Sequence, residues 1–385
     1  MQDIINEFQK EGTINLDIFK WVRNDKELMT ILDEEYRMYD YHTRLIDSKS
    51  NRGWCRTMYH SLFQQLIRGD IYYYTCYMVL RRAVYLISYP YYTKFAKPGD
   101  KTRFRHVDIN LGQAALRQGN EEMIQGSVSW DDEDPTNCTP ILTRFHHHLA
   151  EYQQWRVAKG MDKKGAIEAW QDNVDWPQEL RSRWPEVRWV NTICKPGMVR
   201  ISDPRLPHGS NGPATKIRRT MLPWFVRVND DMETMEFEPM GTYDQLAKAH
   251  RNLTAGPKSP SGHPNMYGGI SIPFAGATPP VFTSKISQAI HCQILWNSPG
   301  VLLELLNLFG PNGTKDGYWD FVTARRKEVA KSVKERWIVC KKFEMAAFGD
   351  NSFWRKKGPQ SSQRDTKTSL VEELMKELNT SDFAG

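Results

Sequence analysis

The chain has 385 residues and a formal net charge of +6, and 40% of its residues are hydrophobic, 25% charged and 12% aromatic. This composition is typical of folded globular proteins and excludes an extensively disordered chain. The charge is modest and no window holds five or six consecutive basic residues, so nucleic-acid binding is permitted but not indicated.

Membrane and secretory signals are absent from the sequence pattern. The start, Met1 to Glu7, has no cationic stretch followed by an apolar run, and no window reaches the roughly 18 apolar residues of a membrane span. The six cysteines are scattered and form no C-x-x-C pair. We therefore expect free buried thiols, a reducing environment and a cytoplasmic location, without membrane partners.

Residues 1–83 are predicted to form a helical region packed on the core. Leu28, Ile31 and Leu32 recur at helical spacing, whereas the aromatic run at 71–80 suits a strand or a buried helix equally well. From residue 84 to 228 the pattern changes to short β-branched and aromatic runs separated by Pro and Gly turns. A helical insert is expected at 146–183.

The remaining chain is predicted to be mainly helical. Residues 229–282 are rich in Gly, Pro and Ser and indicate a loop or lid region, and helices are expected at 283–356. Residues 357–385 are predicted to be a mobile tail with a short helix, signalled by Ser369 and Glu372 as a capping pair. Short strands with helices at both ends predict a mainly β core with added α, in the form of a jelly roll.

One short extended segment holds a candidate metal site. On a strand His106 and Asp108 point to the same face, so an imidazole and a carboxylate can converge on one ion. His208, about a hundred residues later at a strand-to-turn junction, would complete a 2-His-1-carboxylate triad. That ligand set holds non-haem Fe(II) and leaves three positions open.

An arginine eleven residues past His208 favours an oxo-acid co-substrate. The far carboxylate of a chelated 2-oxo acid needs a cation, and Arg219 offers a planar two-point match. Arg218 stands beside it, and a one-residue slip in register would exchange the faces of the two arginines.

These residues resemble the H-x-D…H…R signature of Fe(II)/2-oxoglutarate-dependent oxygenases, most of all the phytanoyl-CoA hydroxylase-like branch, over residues 84–228. The resemblance implies a cupin-like double-stranded β-helix with Fe(II) on His106, Asp108 and His208, and 2-oxoglutarate and O2 as co-substrates. It also implies that Ser210, Arg219 and Gln125 contact 2-oxoglutarate. The implied reaction is hydroxylation, cyclisation or desaturation of a small metabolite, such as an amino acid or a natural-product intermediate.

Two other functions stay open at this point. The same ligands suit zinc, so a hydrolase or a cupin-type isomerase is one alternative. A nucleic-acid- or protein-binding module with a degenerate pocket is the other, with the basic helix around 325–336 as its contact surface. The acidic residues interspersed there favour a solvated helix face instead. The histidine run at 146–148 is predicted to be a solvated or partly capping cluster, and the sequence does not indicate an oligomeric state.

Overall fold

The computed structural model describes residues 2–46, 54–55, 61–80, 86–89, 93–101, 105–107, 123–160, 169–170, 178–227, 236–237, 241–254, 256, 282, 284–311 and 318–357. Its α-helices are α1 Gln2–Glu11, α2 Lys20–Arg23, α3 Lys26–Ile46, α4 Leu62–Ile67, α5 Asp70–Leu80, α6 Leu149–Ala158, α7 Gln178–Arg183, α8 Tyr243–Arg251, α9 Lys285–Ile290, α10 Pro299–Phe309, α11 Tyr318–Phe348 and α12 Phe353–Lys357. Its strands are β1 Thr13–Leu16, β2 Trp54–Cys55, β3 Leu86–Tyr89, β4 Thr93–Ala96, β5 Arg105–His106, β6 Met123–Ser129, β7 Thr139–Thr143, β8 Ala169–Trp170, β9 Arg188–Thr192, β10 Val199–Ser202, β11 His208–Gly209, β12 Arg218–Met221, β13 Trp224–Arg227, β14 Glu236–Phe237 and β15 Gly241–Thr242.

The described strands form two antiparallel sheets and a separate two-stranded pair. The first sheet has the order β1-β10-β6-β12-β4-β2, and β13 pairs with both β6 and β3. The second sheet has the order β8-β5-β11-β7-β9, and β14 pairs with β15. The protein is therefore a mixed α/β fold with antiparallel sheets.

Strand β6 shows how the first sheet is placed between helices and the second sheet. Its residues alternate, so Gln125 and Ser127 lie on one face and Gly126 on the other. Tyr72 of α5 stacks on Phe225 at 5.1 Å, and a Cβ on Gly126 would lie only 1.7 Å from the Tyr72 hydroxyl oxygen. The helices thus cover the Gly126 face. Only glycine at this position allows α5 to approach so closely, because any Cβ would overlap Tyr72.

The opposite face of the first sheet meets the second sheet through polar side chains. Arg218 of β12 donates to the Thr139 hydroxyl of β7 at 2.6 Å, and the Gln125 amide nitrogen lies 3.1 Å from Nε2 of His208 in β11. The space between the two sheets is therefore polar at its centre, while the large apolar core lies between the first sheet and the helices.

Local sequence signals explain several helix starts. Ser61 precedes α4 and accepts hydrogen bonds from the backbone amides of Phe63 and Gln64, both at 3.2 Å. Thr242 and Gln245 form a capping box at the start of α8. Such caps satisfy amide groups that have no partner within the helix.

The structure departs from the sequence predictions at several places. Strand β1 lies in the region predicted to be helical, where it pairs with β10, and the ambiguous run at 71–80 is the buried helix α5. The insert predicted at 146–183 contains α6 and α7 with the two-residue strand β8 between them. Most of the predicted lid and the whole tail beyond residue 357 lie outside the described residues. None of the helices described has the length and apolar character to cross a membrane.

Candidate metal and anion site

Two of the three predicted metal ligands face each other on neighbouring strands. His208 of β11 is the direct antiparallel partner of His106 of β5, so both side chains project to the same face of the second sheet. Their ring centroids are 4.5 Å apart with an angle of 50° between the ring planes. The third predicted ligand, Asp108, lies outside the described residues.

The approach to His208 fixes the orientation of its ring. Asp203 accepts hydrogen bonds from the backbone and side chain of Arg205, and the Leu206 amide donates to the Asp203 carbonyl at 3.1 Å. This turn brings the Leu206 carbonyl 3.1 Å from Nδ1 of His208. A carbonyl can only accept, so Nδ1 carries the proton and the lone pair is on Nε2.

Gln125 lies directly beside that lone pair. Its Nε2 is 3.1 Å from His208 Nε2, which is consistent with the amide donating to the ring. Gln125 is buried, and on the first sheet it pairs with Ser202 on one side and Trp224 on the other. The structure therefore brings together His106, His208 and Gln125 from three strands.

The two imidazoles fit the predicted metal. A ligating histidine commonly donates its second ring N–H to a carbonyl, which fixes the tautomer, and His208 makes that bond to Leu206. The described part of the chain does not include Asp108, and within it no three His, Cys, Asp or Glu residues form a cluster that could hold a metal ion. His106 and His208 thus have ring nitrogens suited to binding a metal ion. For an ion to bind Nε2 of His208, the Gln125 amide would have to give up its contact with that lone pair.

Arg219 lies elsewhere than its predicted place in this pocket. Its Nη2 pairs with Asp131 at 2.8 Å, its Nη1 contacts Asp33 of α3, and its guanidinium stands 5.5 Å from the ring centroid of Tyr36. These contacts are on the helix-covered side of the first sheet. The reason is the alternation of side chains along a strand. Thr220 is the partner of Ser129, which lies on the Gln125 face, so its neighbour Arg219 points to the opposite face.

Arg218 is instead the arginine on the inner face. Its Nη1 donates to the Asn137 carbonyl at 2.8 Å and its Nη2 to the Thr139 hydroxyl at 2.6 Å. Its Nε lies 3.0 Å from Oε1 of Glu133, which is fully buried. The guanidinium is thus held rigidly between the two sheets.

A second buried arginine, which sequence reasoning missed, shares the same carboxylate. Arg200 of β10 places Nη2 2.7 Å from Oε2 of Glu133 and donates from Nη1 to Ser127 at 2.8 Å. Burial raises the pKa of Glu133, but Arg200 and Arg218 outweigh burial and the net pKa is lowered. Two cations and one anion give this cluster a formal charge of +1. The only sequence signal was an arginine inside the apolar strand β10.

The charged cluster and the histidine pair lie a short way apart along β7. Ile141 is the partner of His208, and Thr139, which contacts Arg218, is two residues further along the same strand. Two residues of strand span about 7 Å. A short diacid could therefore reach from the imidazoles to the guanidinium.

The remaining predicted residues have simpler placements. Ser210 follows β11 directly and is buried. His146 and His147 lie with Nε2 3.1 Å from the carbonyls of Gln9 and Lys10, at the end of α1. His148 pairs with Glu186 at 2.7 Å. The three histidines therefore cap a helix end and pair with an acid rather than joining the candidate site.

Comparison with known proteins gives similarity to solved structures alone. No protein-family model matches the sequence, and neither does any curated protein. AviO1 from Streptomyces viridochromogenes Tue57 is similar at 15% identity, with 58% of this chain and 94% of that chain covered and a TM-score of 0.39.

EctD from S. alaskensis, solved with 2-oxoglutarate and 5-hydroxyectoine, shows 13% identity over 59% of this chain and 76% of that chain, with a TM-score of 0.37. The epimerase SnoN, in complex with Fe3+, alpha ketoglutarate and nogalamycin RO, shows 12% identity over 58% of this chain and 82% of that chain, with a TM-score of 0.38. Iron and 2-oxoglutarate are thus bound in structures similar to this one.

Proposed function

We propose that the protein is a non-haem iron oxygenase that couples decarboxylation of 2-oxoglutarate to oxidation of a small metabolite. The observation that supports it most is the His106–His208 pair, with ring centroids 4.5 Å apart and the His208 lone pair set on Nε2. Its fold would be the double-stranded β-helix that the family resemblance implies. The proposal depends on these residues and on Asp108 as third ligand.

In this proposal the protein supplies position and electrostatics. Fe(II), when bound, supplies the activation of oxygen. His106, His208 and Asp108 would hold the metal, while the Leu206 carbonyl keeps the His208 ring in place. The buried Gln125, which lies beside the His208 ring, would keep water from that side of the reacting centre.

Arg218, rather than Arg219, is the arginine we assign to the far carboxylate of 2-oxoglutarate. It lies on the same face as Gln125, about 7 Å along β7 from the level of His208. The cluster with Arg200 and Glu133 carries one net positive charge, which an entering carboxylate would neutralise. Gln125 and Ser210 stay as predicted contacts of the same co-substrate.

The contacts of α11 favour the enzyme over the nucleic-acid-binding alternative. Arg325 pairs with Asp70 at 3.1 Å and Lys334 with Asp25 at 2.9 Å. These cations bind carboxylates of the same chain and so attract phosphates less strongly. Binding of duplex DNA or RNA that weakens steeply with salt would nevertheless contradict this assignment.

Anaerobic titration with Fe(II) and 2-oxoglutarate tests the proposal. A weak visible charge-transfer band should form in the wild-type protein and be lost in His106→Ala and His208→Ala. His147→Ala is the matched control, because this histidine contacts the end of α1 instead of the site, and it should keep the band.

Succinate release in air, with and without a panel of small metabolites, then tests the activity. Absence of the band in folded wild-type protein would refute the iron proposal. Tight zinc binding without succinate release would favour the hydrolase or isomerase alternative.

A further inference from the structure

A cavity of about 210 Å³ lies within the helical layer. Its walls come from α4, α5, the end of α8, α9 and α11. Ile71 of α5 lines the cavity, while the next residue, Tyr72, packs on Phe225 of the first sheet. Helix α5 and the first sheet therefore separate this cavity from the candidate metal site.

One histidine presents a hydrogen-bond acceptor to this cavity. His291, directly after α9, is only 7% exposed, and its Nδ1 lies 2.7 Å from the Ser287 carbonyl. A carbonyl can only accept, so Nδ1 carries the proton and Nε2 carries the lone pair. Within the described part of the chain Nε2 has no hydrogen-bond partner, and it is not sealed among protein atoms. Its lone pair is therefore open to the cavity that the ring lines.

The surroundings of His291 keep this lone pair free of a proton. Burial lowers the pKa of His291 to about 4, and the nearby charge of Arg68 acts in the same direction. At neutral pH the ring is therefore an uncharged acceptor. A buried acceptor without a donor is unfavourable, so a ligand that donates a hydrogen bond to Nε2 gains affinity.

The charged groups of the wall favour a ligand without charge. Asp70 and Glu328 both pair with Arg325, at 3.1 and 2.5 Å. Arg336 interacts with the buried carboxyl group of Glu35. These three wall residues thus have partners of opposite charge in the same chain. An ion that left water for this cavity would gain little from them in return for its lost hydration.

The remaining wall fits a compact apolar body. Leu62, Leu66 and Val333 supply aliphatic surface, and the ring of Phe282 lies 5.0 Å from that of His291. A mostly apolar pocket with a few fixed polar groups is the usual form of a small-molecule site. An apolar cavity of roughly 150 Å³ holds benzene. The cavity described here, at about 210 Å³, has room for a substituted six-membered ring.

We infer that this cavity binds a small neutral hydroxyl compound, such as a phenol, whose hydroxyl donates to Nε2 of His291 and whose body lies against Leu62, Leu66 and Val333. The hydroxyl satisfies the open lone pair, and the apolar body leaves water for an apolar wall. The site lies on the other side of the first sheet from the proposed iron centre and is independent of it.

Calorimetric titration of the metal-free full chain with phenol and with toluene tests the inference. The two probes are nearly equal in size and shape, but only phenol donates a hydrogen bond. We expect one phenol to bind per chain, and His291→Leu to weaken phenol binding about tenfold more than toluene binding, since one hydrogen bond is lost. Comparing the probes in one variant removes any general effect of the substitution on the fold.

Two controls and one blocking variant locate the site. His147→Leu should leave both affinities unchanged, because His147 contacts the end of α1 and does not line the cavity. His106→Ala should also leave them unchanged, since His106 lies between the sheets. Ser332 lines the cavity from α11, and Ser332→Leu should fill it and abolish binding of both probes while the circular dichroism spectrum stays unchanged.

Several results would overturn the inference. They are no binding of phenol to the folded wild type at millimolar concentration, an equal loss of phenol and toluene affinity in His291→Leu, phenol binding that survives Ser332→Leu, and benzoate binding that is tighter than phenol binding. The last result would assign an anionic ligand to the cavity.

Discussion

Replacing Glu133 by glutamine should destabilise the protein more than any surface change, because one buried carboxylate serves two buried arginines. Its oxygens lie 2.7 Å from Arg200 and 3.0 Å from Arg218, and Oε2 also accepts the Cys194 amide at 2.9 Å. In Glu133→Gln the remaining oxygen can keep Arg200 and Cys194. The new amide nitrogen would stand in place of Oε1, so Arg218 would lose the negative charge that lies 3.0 Å from its Nε.

The expected cost follows from the burial of all three side chains. Side-chain exposures are 0% for Glu133, 3% for Arg200 and 8% for Arg218, so water cannot replace the lost charge. Removing one partner of such a buried ion pair costs about 3–5 kcal/mol of unfolding free energy. The exposed pair of Glu151 with His148 gives the scale of a surface change, about 0–1 kcal/mol.

Urea unfolding of wild type, Glu133→Gln and the control Glu151→Gln measures this difference. The pKa of Glu133 is lowered in the folded protein, so its charge stabilises the fold above its ordinary value of 4.5 and the gain is lost as the pH falls through the lowered pKa. The gap between wild type and Glu133→Gln should therefore be full at pH 7 and shrink in acid. A gap under 1 kcal/mol at pH 7, or one that does not change in acid, would refute this reasoning.

Three further predictions concern other parts of the structure. Burial raises the pKa of Glu35 from 4.5 to about 7, so the wild type should lose about 3 kcal/mol of stability between pH 5 and 8 by urea unfolding, and Glu35→Gln should not. Gly126→Ala should cost about 1–3 kcal/mol because its Cβ would meet the Tyr72 hydroxyl, and Tyr72→Phe in the same chain should recover part of the loss in thermal unfolding. Arg219→Gln should lower the free energy of unfolding by about 1–3 kcal/mol and leave the affinity for 2-oxoglutarate within twofold of the wild type. Arg218→Gln should weaken that affinity at least tenfold in titration calorimetry. The opposite order of the two affinities would contradict the assignment of Arg218.

The histidine pair could be predicted because its information is local. The alternation along a strand sets the face of His106, and the proline-containing approach places His208 at the start of another strand. The choice between Arg218 and Arg219 could not be predicted in the same way. The segment 210–217 between β11 and β12 is longer than a two-residue hairpin turn, so it does not fix the register of β12. The pairing of β12 with β6 instead decides which of its side chains lies on which face.

Glu133 and β1 escaped the sequence analysis for a different reason. Glu133 stands in an acidic run that reads as a turn, and its burial follows only from two arginines that are 67 and 85 positions later in the sequence. Strand β1 is four residues long, too short for a periodic pattern, and is fixed by its pairing with β10 and by the Thr13 hydroxyl 3.0 Å from that of Ser202. Tertiary contacts therefore decide what propensity leaves open.

The burial of helix α5 explains why its sequence was ambiguous. It is buried on every side: Tyr72 packs on the sheet, Ile71 lines a cavity among the helices, and Tyr74 lies 4.1 Å by ring centroids from Phe321 of α11. A helix buried on every side shows no polar face, so its pattern is equally that of a buried strand. The same burial makes α5 the wall between the cavity and the sheet. Gly126 and Gln125 are neighbours on β6 and therefore lie on opposite faces of the sheet. Gly126 allows α5 to pack closely on one face, and Gln125 lies beside His208 on the other.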